Sequence, residues 1–131
     1  MRPSLKLGAT RPLVLFASGA GVGRVVESWR RGGLTPVHVD VTEPDLRSAL
    51  LAEASVADLR LADISVNLRL APNSGVPTRL EIGDVLAAHR QAIYAVAGPA
   101  SFVLRIQRAL SAFGVEALGL SPRLPFELDA A

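Results

Sequence analysis

The stretch 12–24 constrains the fold most, because it joins a short apolar run directly to three closely spaced glycines. Five consecutive apolar residues, Leu13–Ala17, have the length of a strand that is buried on both faces. The glycines that follow are Gly19, Gly21 and Gly23. From Val22 onward, apolar residues recur at the spacing of one helical face. The stretch therefore predicts a strand, a tight turn and a helix.

A turn of this kind suits an anionic ligand, because backbone N–H groups and the positive end of a helix point at the same place. We therefore expect a phosphate-bearing ligand at the residues of this turn, which are Ser18, Gly19, Ala20, Gly21 and Val22. The glycine spacing is not the full dinucleotide fingerprint. A turn that binds nothing is the alternative interpretation of the same residues.

The remainder of the chain repeats the strand and helix pattern. Further strands are predicted at Pro36–Val41, Ile64–Leu70 and Ala92–Ala97, with a last short strand within Val115–Leu120. The strict alternation of apolar and polar residues in Ile64–Leu70 is typical of a strand near a sheet edge. Strands that alternate with helices predict a parallel sheet with helices on both faces.

Two of the predicted helices begin with capping signals. Thr42 is predicted as the N-cap of the helix after the second strand, with Leu46, Leu50 and Ala54 on its buried face. Thr78 and Glu81 repeat the capping arrangement and predict a short helix before the fourth strand.

We expect a single three-layer α/β domain built on a five-stranded parallel sheet in the order 3-2-1-4-5. Residues 12–131 form this domain, and residues 1–11 form a flexible lead-in. Right-handed crossovers require a point where the winding reverses, and ligands bind there, at the carboxyl ends of the strands. The turns Ser18–Gly23 and Gly98–Ala100 flank that point.

Composition excludes several classes of function. The chain has no cysteine and only two histidines, which predicts a disulfide-free cytoplasmic protein with no metal site. A net charge of +2, with 20% charged and 5% aromatic residues, gives little support for a nucleic-acid partner. No apolar run approaches the roughly 20 residues that cross a bilayer, so no membrane partner is expected. A phosphoreceiver domain is excluded, because Leu70–Pro72 and the single Lys6 cannot supply its aspartate and lysine.

Several motifs, taken in their order along the chain, carry a resemblance to a known family. Ala17–Arg24 is similar to a glycine-rich turn of the sequence Ala-Gly-Gly-Ile-Gly-Ile-Thr-Pro, and Ala97–Phe102 to a Cys-Gly-Pro turn before a helix. Between them, Pro36–Glu53 and Gly75–Leu86 also follow the family pattern. The chain thus resembles the nicotinamide-nucleotide-binding domain of the ferredoxin-NADP reductase superfamily, particularly its phthalate dioxygenase reductase-like branch.

The resemblance implies that the chain binds NADH or NADPH, with pyrophosphate at the first turn and nicotinamide toward Ala97, Gly98, Pro99 and Ala100. Members of the family then pass hydride to a flavin. Their flavin-binding barrel cannot fit in the eleven residues before the first strand, so flavin is expected in a partner chain, a reductase or oxygenase subunit. Since side chains cannot accept hydride, the chain alone is not expected to be a complete enzyme.

The chain departs from the family pattern at several positions. Ala97 stands at the family's cysteine, Arg24 at its proline and Ser18 at a glycine. Thr42 lies where many NADPH-using members have an arginine for the 2′-phosphate. The resemblance therefore favours NADH and makes Thr42 a candidate cofactor contact.

Asp40 is the candidate acid for the adenosine ribose. It lies 21 residues after Gly19, near the end of the second strand, where dinucleotide-binding units place such an acid. The alternative is a polar residue that merely continues the alternation of the strand. His38 and His89 have no evident carboxylate or nucleophile partner in the sequence, which favours structural roles.

Three functions are open at this point. The first is a nucleotide-binding electron-transfer subunit that supplies NAD(P)H to a flavin in another chain. The second is a degenerate, non-binding structural or regulatory subunit of such a complex. The third is a small methyltransferase-like protein that binds S-adenosylmethionine, which the glycine turn and Asp40 would also suit, although Ala17 replaces the acid that usually precedes those glycines.

Overall fold

The computed structural model describes residues 11–33 and 35–120. Of the expected lead-in, only Arg11 falls within this range. The end of the expected domain, residues 121–131, lies outside the described residues.

Strands and helices alternate throughout the described part. The strands are β1 (Leu13–Ala17), β2 (His38–Glu43), β3 (Ser65–Leu70), β4 (Ile93–Ala97) and β5 (Ala117–Leu120). The helices are α1 (Ala20–Arg30), α2 (Leu46–Leu61), α3 (Arg79–Ala88) and α4 (Ala100–Ala112).

The five strands form one parallel sheet in the order β3-β2-β1-β4-β5, so the predicted fold class and strand order are confirmed. β1 is central, and its Leu15 aligns with Val39 of β2 and Ala95 of β4. All five residues of β1 are buried, as the continuous apolar run predicts.

The core lies in two layers, one on each face of the sheet. Because successive side chains of a strand point to opposite faces, β1 sends Leu13, Leu15 and Ala17 toward α1 and α2. Val14 and Phe16 point the other way, against α3 and α4. The helices before and after the third strand therefore cover different faces, which puts the reversal of winding between β1 and β4.

The second strand differs from its prediction and moves the start of α2. It begins at His38 and continues to Glu43, so Thr42 lies within the strand and the prediction of a Thr42 N-cap is wrong. Asp45 is the N-cap, and its Oδ1 accepts a hydrogen bond from the Ser48 backbone N–H at 2.8 Å. Parallel pairing with β3 continues as far as Glu43 and Leu70, which explains the longer strand.

The face that α2 turns toward the sheet also differs from its prediction. Leu46 and Leu50 are exposed, and the buried positions are Ala49, Ala52, Val56 and Leu59. The helix is apolar on both sides, so its periodicity allowed two faces to be chosen. The cap at Asp45 and the packing on β2 and β3 select the second.

Other local signals are confirmed. Thr78 and Glu81 form a capping box at the start of α3, with each side chain bonded to the other's backbone N–H. Gly114, with φ of 76°, follows the end of α4, where a left-handed backbone favours glycine. Among the described residues, no helix is both long and apolar enough to cross a bilayer.

Candidate functional site

The two glycine turns meet at the carboxyl edge of the sheet. The backbone N–H of Ser18 donates to the Ala97 carbonyl at 3.0 Å, which joins the end of β1 to the end of β4. A Cβ on Gly21 would lie 2.3 Å from that carbonyl, so the close approach requires glycine. A Cβ on Gly98 would lie 3.1 Å from the Ser18 carbonyl oxygen. The structure thus brings the two predicted turns into direct contact.

Both turns lead into helix N-termini. Gly19, with φ of 58°, precedes the first residue of α1, and Pro99 precedes the first residue of α4. Gly19, Ala20, Pro99 and Ala100 are exposed at this edge. Neither helix has an acidic residue in its first turn. The positive ends of two helix dipoles therefore converge on the carboxyl edge.

The carboxylate that faces this edge belongs to Glu43, which the sequence prediction missed. It is the last residue of β2, only 2% exposed, and its Oε2 accepts a hydrogen bond from the Gly19 backbone N–H at 3.0 Å. Burial raises the pKa of Glu43, against the lowering effect of that hydrogen bond. The sequence did contain a signal for Glu43, the alternation of side chains along the strand. Glu43 comes at every second position after Val39 and Val41, so it points to the same face of the sheet, which α1 and α2 cover.

A recess opens beside Glu43, between the N-terminus of α1 and the first turns of α2. Its volume is about 160 Å³. It is lined by Gly19, Val22, Glu43, Ser48, Leu51, Ala52 and Ser55. Hydroxyl, carboxylate and backbone N–H groups therefore border a mostly apolar floor, as in sites for small polar ligands.

Asp40 lies on the other face of β2. It is fully buried, and its two oxygens accept hydrogen bonds from Arg69 Nε and Nη2 at 2.9 and 2.7 Å. Arg69 also contacts Glu81 of α3 at 3.1 Å. Burial acts to raise the pKa of Asp40, but the facing His38 and Arg69 outweigh it and lower the pKa. With both oxygens engaged, Asp40 offers no free acceptor at the carboxyl edge.

Thr42 points to the same face as Asp40. Its side chain is fully buried, and within the described ranges its hydroxyl oxygen has no hydrogen-bond partner. The Thr42 side chain is therefore buried and is not exposed at the carboxyl edge. Of the predicted site residues, the two turns are brought together, whereas Asp40 and Thr42 are buried on the face of β2 opposite to α1 and Glu43.

The two histidines form a contact of their own. The rings of His38 and His89 stack with centroids 5.0 Å apart, and His38 Nδ1 lies 2.8 Å from Ser65 Oγ. Burial, together with the nearby His38, lowers the pKa of His89. The contact joins the start of β2 to the end of α3, at the end of the sheet away from the glycine turns, which fits structural roles.

A second cavity lies at the amino edge of the sheet. It has a volume of about 510 Å³ and is larger than the recess. Its lining consists of Arg11, Arg90, Ala92, Ile93, Tyr94, Gly114, Val115, Glu116, Ala117 and Leu118. It faces away from the helix N-termini, so we assign the candidate site to the smaller recess. In the described part of the chain, no cluster of three or more acidic or histidine side chains could hold a metal ion.

Comparisons with known proteins give a fold likeness only. No protein family matches the sequence, and no curated protein matches it. A solved structure with a similar course of the chain is the phosphoribosylglycinamide formyltransferase of Coxiella burnetii in complex with CHES, at a TM-score of 0.47 and 14% identity. The alignment covers 84% of this chain and 50% of the formyltransferase, so the chain spans about half the length of that enzyme.

These comparisons correct the family resemblance. The expectation of a ferredoxin-NADP reductase domain is wrong: no family model matches the chain, and the solved structure reported above is a formyltransferase, not a member of the reductase superfamily. The physical reason is that glycine and proline motifs follow from turn geometry. Any parallel sheet with strands that pass directly into helices needs small residues at such turns, whatever its ancestry.

Proposed function

We propose that this domain binds NADH at the carboxyl edge of its sheet, with the adenosine ribose in the recess beside α1. The observation that carries the proposal is the buried Glu43 carboxylate, bonded to the Gly19 N–H at 3.0 Å at the head of that recess. In dinucleotide-binding domains, an acid at the end of the second strand accepts hydrogen bonds from the ribose hydroxyls. Glu43, not Asp40, has that position here.

Glu43 also holds the glycine turn in shape before a ligand arrives. In the free protein its carboxylate satisfies the Gly19 N–H, which would otherwise need an anion. When ribose hydroxyls donate to the carboxylate, the Gly19 N–H becomes available to the pyrophosphate. On this scheme, binding breaks the hydrogen bond between Gly19 and Glu43 and forms several hydrogen bonds to the ligand. Until then, Glu43 occupies the hydrogen-bonding position that the cofactor takes.

The same carboxylate favours NADH over NADPH. The 2′-phosphate of NADPH would lie against Glu43, and no arginine is among the residues that line the recess. Two negative groups at contact distance disfavour each other strongly where water is excluded. A hydride acceptor is still needed for any reaction, and side chains cannot be one, so a flavin-bearing partner chain is part of the proposal.

Isothermal titration calorimetry of the full chain with NADH and NADPH tests the proposal. We expect heat with NADH, and a dissociation constant at least about tenfold higher for Glu43→Gln, since hydrogen bonds to a charged group are worth about 1.5–3 kcal/mol. The matched control is Glu116→Gln, an exposed glutamate before β5 at the amino edge, which should leave binding unchanged. Equal binding by wild type and Glu43→Gln would contradict the role of Glu43.

S-adenosylmethionine is a second candidate, and one observation favours it. Glu43 already supplies a negative charge to the N-terminus of α1, so a ligand with ribose but no phosphate fits without displacing it from Gly19. Heat with S-adenosylmethionine and none with NADH would select this candidate. No heat of binding with either NADH or S-adenosylmethionine at millimolar concentration would favour the non-binding subunit.

A further inference from the structure

The outward face of α2 carries an apolar stripe that the described residues, 11–33 and 35–120, leave uncovered. Leu46, Leu50 and Leu61 are 65%, 63% and 83% exposed, and Ala54 and Ala57 between them are also exposed. These positions are four, four, three and four residues apart, the spacing of one helical face over four turns. We call these five residues the α2 stripe.

The opposite side of α2 is already buried against the sheet. Ala49, Ala52, Val56 and Leu59 make that contact, so α2 has two apolar faces, with Arg47, Glu53, Asp58 and Arg60 between them. Apolar helix faces are typically buried against other apolar residues. The sheet of this domain can cover only one of them. The stripe therefore has the composition of a contact surface.

We propose that the stripe pairs with the stripe of a second copy of this chain, with the two α2 helices antiparallel about a two-fold axis near Ala54. In that arrangement, two residues that face each other across the contact have residue numbers that add up to about 107 or 108. Leu46 then meets Leu61 of the second copy, and Leu50 meets the small Ala57. In the middle of the contact, a large residue therefore faces a small one, and at each end two leucines face each other. Both chains use the same surface.

Charges beside the stripe favour the antiparallel pairing. Arg47 lies at the start of α2 and Asp58 near its end, on the same side of the stripe. Antiparallel packing brings each Arg47 near Asp58 of the second copy, whereas parallel two-fold packing would place the two copies of each residue on opposite sides of the contact and give no such pair. Asp58 is 51% exposed and already pairs with Arg30 of its own chain, so Arg47 would complete a three-charge cluster at each end.

Sedimentation equilibrium of the full chain tests the dimer. We expect a reversible dimer at micromolar concentration, and a dissociation constant raised at least about 100-fold by Leu50→Glu, which puts a charge in the contact. The matched control is Leu80→Glu on α3, which is 77% exposed on the opposite face of the sheet and should leave the dimer intact. Circular dichroism checks that both variants fold. A wild type that stays monomeric at 100 µM overturns the proposal, as does a dimer weakened equally by both variants.

Disulfide trapping determines the relative orientation of the two α2 helices. Since the sequence has no cysteine, only the introduced cysteines can form cross-links. We expect an equal mixture of Leu46→Cys and Leu61→Cys chains to form mainly the mixed cross-link on oxidation. Each variant alone should cross-link at least about tenfold less. Preferential cross-linking of Leu46→Cys to itself would show parallel helices and overturn the antiparallel arrangement. Association with a different protein in place of the second copy would leave the pure chain monomeric, which also overturns it.

Discussion

Gly21 and Gly23 lie two residues apart in α1 but have opposite surroundings. A Cβ on Gly21 would lie 2.3 Å from the Ala97 carbonyl, whereas a Cβ on Gly23 would meet nothing within 4 Å. We expect Gly21→Ala to lower the free energy of unfolding by about 3 kcal/mol through overpacking against backbone. Gly23→Ala should raise it by about 0.5–1 kcal/mol, because alanine favours helix. Urea denaturation of both variants measures the difference, and equal effects would contradict the contact between the turns.

The buried ion pair of Asp40 and Arg69 gives a second test at the level of single residues. Asp40→Asn leaves the guanidinium without its buried carboxylate and should cost about 3 kcal/mol of unfolding free energy. Glu81→Gln removes the exposed partner of the same guanidinium and should cost less than about 1 kcal/mol. Chemical denaturation at pH 7 compares the two, and a Glu81→Gln loss as large as that of Asp40→Asn would contradict this ranking.

The pH dependence of that pair has a definite sign. Because the pKa of Asp40 is lowered on folding, its contribution is present above the ordinary value of 3.8 and is lost as the pH falls through the lowered value. The destabilisation by Asp40→Asn should therefore diminish only in strong acid, which denaturation curves from pH 5 down to pH 2 would show.

At the level of elements, α3 depends on its capping box. Thr78 Oγ1 accepts from the Glu81 N–H at 3.1 Å, and Glu81 Oε1 accepts from the Thr78 N–H at 2.7 Å. Thr78→Ala should lower the unfolding free energy by about 1 kcal/mol, whereas Thr78→Ser, which keeps the hydroxyl, should be close to wild type. Thermal denaturation by circular dichroism measures both. A serine variant as unstable as the alanine variant would point to lost methyl packing instead.

The element that sequence reasoning placed least well is α2. Its apolar residues fall on two faces, and the predicted buried set of Leu46, Leu50 and Ala54 is the outward one. In α3, by contrast, a capping box fixes the first residue, and Ile82 and Val85 are buried. The spacing of apolar residues alone therefore predicts the buried face of a helix only where the opposite face is polar. Otherwise the capping residue must also be recognised.

For the whole molecule, the nucleotide site that we propose requires an ionised Glu43, whereas the stability of the fold favours a neutral side chain there. Because burial raises its pKa, the ionised carboxylate destabilises the fold, and wild-type stability is lost as the pH rises from the ordinary value of 4.5 through the raised one. Glu43→Gln should therefore be more stable than wild type at pH 7 and equal to it below pH 4. Denaturation midpoints of both proteins from pH 3.5 to 8 measure this. An unchanged difference across that range would contradict the burial of the charge.

The candidate site was predicted in part. The two turns could be recognised because glycine and small residues at a strand-to-helix junction have a local cause, the close approach of backbones. The acid could not be chosen by spacing, since Asp40 and Glu43 both lie near the end of β2. Strand pairing carries β2 to Glu43 and turns Asp40 toward Arg69 of β3. That choice depends on a residue 29 positions away.

The sequence by itself determined the succession of strands and helices and the central buried strand, because apolar runs and turn residues are properties of neighbouring residues. Only the tertiary structure decided which side of α2 is buried and which carboxylate faces the carboxyl edge. The first depends on the residue that caps α2 and on how the helix packs on the sheet, and the second on the face to which each residue of β2 points, which alternates from one residue to the next.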